Sequence, residues 1–151
     1  MKRRSRGREV ALQLLFQNDQ NRTVIKRKAI ERFVKDRLPS DPDVVPWCLN
    51  LFDGVLAARD AIDALLTKTA ENWRLTRMQP VDRNVLRLGT FELLHSPEKI
   101  AVAVVIDEMV ELARRFGSAG SSAFVNGILD QIAKVRNDNP TSAPGPRSGL
   151  S

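Results

Sequence analysis

The chain has one cysteine, Cys48, and one histidine, His95. A single thiol excludes an internal disulfide, which fits a reducing compartment. One His and one Cys far apart in sequence leave no zinc-ligand spacing, so no metal site is expected. No apolar run approaches the roughly 18 residues that a membrane span needs. The apolar run behind the basic N-terminus is interrupted by Gln13 and ends at Phe16, so it reads as mature protein and not as a signal peptide. A mitochondrial presequence would also be Arg-rich and amphipathic; Glu9 and Asp19 argue mildly against one. There is no Walker A loop and no G-x-G-x-x-G after a strand, and no cofactor is expected. Acidic pairs such as Asp107 with Glu111, or Glu108 with Glu111, are explained by a charged helical face without acid–base chemistry. Cys48 lies in an apolar stripe and reads as packing; His95, near a helix end, reads as a cap or surface residue. Nothing in the pattern calls for an enzyme.

What the chain has is charge of one sign at one end. Five of the first eight residues are basic: Lys2, Arg3, Arg4, Arg6 and Arg8. The whole chain carries 24 Lys and Arg against 18 Asp and Glu; without the first eight residues 19 face 18, and the excess falls from +6 to +1. A local positive field of this kind suits a polyanion, nucleic acid above all. At 151 residues the chain is long enough for one domain with a buried core. Its 42% hydrophobic and 28% charged residues are the balance of a soluble globular protein.

Apolar periodicity predicts helices throughout. The first covers about 8–19, with Ala11, Leu14 and Leu15 on one face. The second covers about 24–37 and is stopped by Pro39. A long stretch from about 44 to 73 follows, with Asp43 as N-cap and Pro46 in the first turn, and with a bend or break between Gly54 and Asp60. Residues 74–80 form a connection. A helix from 81 to about 95 is closed by Pro97. The next runs from about 99 to 116, where Gly117 stops it; the run 101–106 is β-prone, but its helical period continues to Phe116. Ser121 or Ser122 caps a last helix, whose stripe runs from Phe124 to Val135. The prediction is an all-α fold of six or seven helices, organised as a basic arm at 1–8, a helical domain at 9–136 and a disordered tail at 137–151.

Several segments point to binding. The arm reads either as a solvated terminus or as a phosphate-binding segment, because guanidinium groups fork onto phosphate oxygens and stack on bases. A second basic group comprises Arg22, Lys26, Arg27, Lys28, Arg32, Lys35 and Arg37, interrupted by Glu31 and Asp36. It reads equally as a solvated helix face. The glycines of 117–120 suit an interhelical loop or an anion-binding helix start. In the segment Phe124-Val125-Asn126-Gly127, a helical glycine costs about 1 kcal/mol relative to Ala, which a close helix approach would explain. Asn126 suits a buried network or a base edge. Phe124 reads as core or as a stacking platform.

Four motifs together resemble the NusB family of transcription antitermination factors. They are Arg6, Arg8 and Ala11 through Phe16; Val81-Asp82-Arg83-Asn84-Val85-Leu86-Arg87-Leu88-Gly89-Thr90-Phe91-Glu92-Leu93; Val105-Ile106-Asp107-Glu108 with Glu111 through Gly117; and Phe124-Val125-Asn126-Gly127-Ile128-Leu129-Asp130. They occur in family order and cover nearly all of the chain up to Val135. The resemblance implies two packed helical bundles. It also implies binding of boxA-type single-stranded RNA together with the small-subunit ribosomal protein NusE, within an RNA polymerase antitermination complex on ribosomal RNA operons in the cytoplasm. Carried over, Arg3, Arg4, Arg6, Arg8, Phe124 and Asn126 belong to the RNA surface, and Asp82 to the side facing NusE. Phe16 and Phe91 stand where many members have Tyr, Asp107 replaces a common Asn, and Gly120-Ser121-Ser122 lacks the charge that some relatives carry.

Three other readings stay open on the sequence. The chain could be an RNA-binding module related to the N-terminal domain of an rRNA methyltransferase, for which no methyl-donor domain follows. It could be a homodimer that masks its RNA surface. It could bind DNA through a helix-turn-helix, although no recognition helix is defined.

Overall fold

Apolar residues three and four apart fix the first helix. In this computed structural model, which describes residues 2–21, 23–71 and 73–136, α1 spans Arg3–Gln20. Val10, Ala11, Leu14 and Leu15 are fully buried along it. The helix begins about five residues before the start expected from its apolar pattern. The expected tail at 137–151 and the basic Arg22 lie outside the described residues.

α2 (Arg27–Arg37) buries Ile30 and Val34. A 3₁₀ turn at Pro42–Val44 leads into α3 (Val45–Ala57), with Pro46 in the first turn. Asp43 is not the N-cap: it lies inside the 3₁₀ turn, and its carboxylate pairs with Arg3. The predicted break of the long stretch falls at Ala58, where the backbone turns to φ −98°, ψ 8° and starts α4 (Arg59–Thr69). A 3₁₀ turn at Leu75–Arg77 precedes α5 (Pro80–Thr90).

α5 widens into one π-helical turn, Phe91–His95, closed by the Ser96 N–H donating to the Phe91 carbonyl at 2.8 Å. The wider turn rotates the next side chains and leaves Glu92 facing inward, while His95 is exposed. α6 (Val102–Phe116) buries Val105, Ile106, Met109, Leu112 and Ala113. α7 (Ser121–Ala133) buries Val125, Leu129 and Ile132. Val135, expected on that stripe, lies beyond the helix end and is exposed. Gly117 ends α6 in extended backbone, and the left-handed residue of the connection is Gly120, with φ 89°.

α1, α2 and α3 form one bundle. α5 is the centre of the other, packing against α4, α6 and α7 and also against α1 and α3, so the two bundles share one core. Close approach of helices occurs at Gly89, where a Cβ would lie 2.7 Å from Leu129 Cδ1 and 2.9 Å from Met109 Cγ. It does not occur at Gly127, which is exposed with nothing within 4 Å of a would-be Cβ. The packing reason expected for Gly127 therefore fails. Among the described residues no helix is long and apolar enough to cross a membrane.

Candidate nucleic-acid interface

The four arginines at the start of α1 differ in what they can reach. Arg3 donates from Nε to Asp41, just before the turn that opens α3, at 2.9 Å and also pairs with Asp43 inside that turn. Arg4 pairs with Glu98 at 2.5 Å, from the connection before α6, and its guanidinium lies 4.6 Å from the centre of the Trp47 ring. Arg6 reaches Glu9 one turn on, at 2.6 Å. These three keep between a third and just over half of their side-chain surface in water. Arg8 is different. It is buried, donates twice to Glu92 at 2.8 Å, and lies 3.7 Å from Glu108. Its guanidinium is committed to the interior, unlike the three arginines before it.

Gly7 lets this end of α1 sit down on α3. A Cβ there would meet Val44 Cγ1 at 2.9 Å and the Trp47 ring at 3.1 Å. The first turn of α1 carries no acidic residue and no side-chain cap. Its free amides and the positive end of the helix dipole therefore add to the guanidinium field.

A stripe continues from Arg6 along α1 through Glu9, Gln13, Phe16 and Gln17 at helical spacing. Gln13, Phe16 and Gln17 open into a groove of about 400 Å³ between α1, α2, α5 and α6, with Phe33, Arg37, Val81 and Phe116 on its other walls. Phe16 and Phe116 are each 38% exposed. Arg37 lies 3.6 Å from the Phe33 ring centre and Arg115 lies 4.8 Å from that of Phe116. Arg115 also bonds Glu9 at 2.9 Å, which ties α6 to the stripe. The Oε1 of Gln13 is buried without a hydrogen-bond partner. This groove was missed by pattern reading. Phe116 closes the apolar period of α6, so it reads as core; only the packing of four helices leaves it open.

Phe124 and Asn126 lie elsewhere. Phe124 is half-buried and meets Trp73 edge-on, with centroids 5.5 Å apart and planes at 64°. Asn126 is exposed beside Gly127. Phe124 and Asp82 line one cavity of about 460 Å³ with Trp73, Arg77 and Gln79. Asp82 is 8% exposed, and its Oδ1 has no hydrogen-bond partner. Ser118 Oγ–H donates to Gln79 Oε1 at 3.0 Å and holds the 117–120 loop over this cavity. Thus two residues expected on separate surfaces share a site, and that site is remote from the arginines. Asp19, near the far end of α1, accepts from Arg83 at 2.9 Å, and Arg83 in turn reaches the carbonyls of Leu75 and Met78 beside the cavity. The 16 residues from Arg3 to Asp19 span about 24 Å of helix. The Phe16–Phe116 groove lies between the two ends.

The second motif turns out to hold the bundles together. Asp19 also accepts from Asn84 at 2.9 Å and lies 3.4 Å from Arg87, which forks onto Asp63 at 2.8 and 3.0 Å. Burial works against the Asp19 carboxylate, but the hydrogen bonds from Arg83 and Asn84 and the charges of Arg83 and Arg87 outweigh it and hold the group below its ordinary pKa. Cys48 is fully buried, and desolvation pushes its thiol up to about 12.

Residues 5–134 match the NusB family profile. The transcription antitermination protein NusB of Myxococcus xanthus is 45% identical over 137 residues, covering 89% of this chain and 96% of that one. Its counterpart from Sorangium cellulosum is 46% identical over 131 residues, covering 87% and 91%. Among solved structures, NusB of T. maritima superposes with a TM-score of 0.76 at 37% identity, over 89% of this chain and 92% of that one. A NusB solved with NusE and double-stranded RNA gives 0.77 at 26% identity, over 89% and 98%. The chain belongs to the NusB family.

Proposed function

We propose that this chain is a non-catalytic transcription antitermination factor of the cytoplasm. It binds boxA-type single-stranded RNA of ribosomal RNA operons together with the ribosomal protein NusE, and joins RNA polymerase through that assembly. One observation carries the reading: Arg3, Arg4 and Arg6 stand partly exposed at an uncapped helix start, and from Arg6 one helix face leads into a groove with two half-open phenylalanines. Guanidinium groups and helix-start amides suit phosphates. Aromatic rings at groove width suit unstacked bases, which a duplex does not offer. The NusB family membership supports the same reading, and the relative solved with NusE and double-stranded RNA supports RNA binding beside NusE without bearing on strandedness.

In this assignment Arg8 positions the arm and does not contact RNA. The cavity shared by Asp82, Trp73 and Phe124 is the NusE-facing site, because its buried, unpartnered carboxylate oxygen suits a donor from a protein side chain. Asn126 and the bare backbone at Gly127 remain open to RNA. The test is binding of a fluorescent boxA-type RNA by the protein alone and with its cognate NusE, against a scrambled RNA. Tighter binding of boxA, strengthened by NusE, is expected. Equal affinity for both RNAs in both settings would overturn the reading.

The same groove supports a second reading, a homodimer that masks the RNA face, because Phe16 and Phe116 leave apolar surface exposed. Light scattering across concentration, with and without RNA, separates it: RNA dissociates such a dimer.

A further inference from the structure

We propose that Asp41, Asp43 and Glu98 act as built-in phosphate mimics: they hold the arginines of α1 closed in the free protein, and RNA phosphates bind by displacing them. The inference rests on the RNA-binding reading above and adds how that site is regulated. The sequence suggests an open positive arm, but the structure sets a carboxylate against every arginine in it. Arg3 meets Asp41 and Asp43, Arg4 meets Glu98, Arg6 meets Glu9, and Arg8 meets Glu92 and Glu108.

These pairs fall into two kinds. Arg8 and Glu92 are both buried, so parting them would strand two charges away from water. The pairs of Arg3 and Arg4 are open to solvent on both sides, with side-chain exposures of 55% and 47% for the arginines, 27% and 66% for Asp41 and Asp43, and 48% for Glu98. They can exchange one anion for another at little cost. A phosphate offers the same planar guanidinium fork two oxygens, as a carboxylate does.

The three acids are not neighbours along one helix. Asp41 and Asp43 come from the turn that opens α3, and Glu98 comes from the connection before α6. They converge on one helix start from two connections. Glu98 is also placed by its own loop, since its N–H donates to Ser96 Oγ at 3.1 Å. The hydrogen bond from Arg4 holds the Glu98 carboxyl below the usual range, so it is a charged competitor at neutral pH. The consequence is electrostatic. Each arginine that moves to a phosphate releases counterions from RNA, but the freed carboxylate takes cations up. Net ion release, and with it the salt dependence of binding, is smaller than the number of arginines implies.

The experiment compares the wild-type chain with D41N/D43N/E98Q and with R3Q/R4Q, measuring the affinity of a scrambled single-stranded RNA by anisotropy at several salt concentrations. A scrambled probe keeps the test independent of boxA preference. An exposed pair opposes its rival by up to about fivefold, so the triple amide variant is expected to bind about tenfold more tightly. Its log–log salt slope is expected to steepen by about −1.4, from about −0.7 for each of Arg3 and Arg4. E98Q alone is expected to give a smaller change in the same direction, which guards against a folding defect in the triple variant. R3Q/R4Q is expected to weaken binding. If R3Q/R4Q weakens binding while the amide variants match wild type in affinity and slope, the displacement mechanism fails and the RNA role of the arm stands. If R3Q/R4Q also matches wild type, the arm is not an RNA site and both readings fall.

Discussion

Arg8 and Glu92 lie 84 residues apart in sequence and meet as a buried, two-pronged ion pair, each prong 2.8 Å long. Their side chains are 4% and 0% exposed. The pair joins the start of α1 to the π-helical turn after α5, and so fixes where the exposed arginines stand. Glu92→Gln removes the carboxylate that forks onto the buried guanidinium and leaves it only Glu108, 3.7 Å away. It should cost about 3–5 kcal/mol in urea unfolding, as other one-sided losses of buried pairs do. Replacing both partners, as in R8M/E92L, removes the stranded charge and should recover most of that loss. If E92Q unfolds like wild type, the pair does not hold the two elements together.

The charge run and the apolar stripes made the fold class legible, because both depend on spacing along one helix. What was not legible depended on distance across the chain. Arg8 looks like its neighbours in sequence, and only Glu92 shows that its charge points inward. Gly127 and Gly89 look alike as helical glycines, yet Gly89 lies against Leu129 and Met109 and Gly127 faces open space. Phe116 follows the core period of α6 but stays 38% exposed on the wall of a groove lined by four helices. Spacing gives the face of a helix, and partners decide which end of that face is covered.

Gly127→Ala and Gly89→Ala should therefore move stability in opposite directions. At Gly127 an added methyl meets nothing, so the helix gains up to about 1 kcal/mol from propensity. At Gly89 the methyl would lie 2.7 Å from Leu129 Cδ1, and overpacking should cost about 1–3 kcal/mol. Thermal melts of the two variants give the comparison. A G127A variant that is more stable but binds RNA less tightly would assign the glycine to close approach by RNA; unchanged binding would leave it without that role.

Asp19 makes stability depend on acid. Its folded pKa is lowered, so it binds its proton less readily folded than unfolded. The stability it contributes is full above its ordinary value of 3.8 and is lost as pH falls through the lower folded value. Wild type should thus lose stability on going from pH 5 towards pH 2 in denaturant titrations. Asp19→Asn should be weaker at pH 7 but should lose less over the same interval. An identical pH profile in D19N would show that Asp19 is not a source of the acid sensitivity.

Phe16 and Phe124 should separate the two ends of the proposed interface. Phe16 is in the groove reached from Arg6 along α1, whereas Phe124 packs on Trp73 beside Asp82. A stacked base is worth about 1–3 kcal/mol by alanine substitution, so F16A should weaken boxA-type RNA binding by the protein alone by about 5- to 150-fold. D82N removes the buried carboxylate charge from the other site and should leave that affinity unchanged, but should weaken the gain in affinity that NusE supplies. F124A reports which site its ring serves: its loss appears with NusE present if the ring belongs to the shared cavity, and with RNA alone if it stacks a base. Should F16A bind RNA as wild type does and D82N fail to bind it, the assignment of groove to RNA and cavity to protein is reversed.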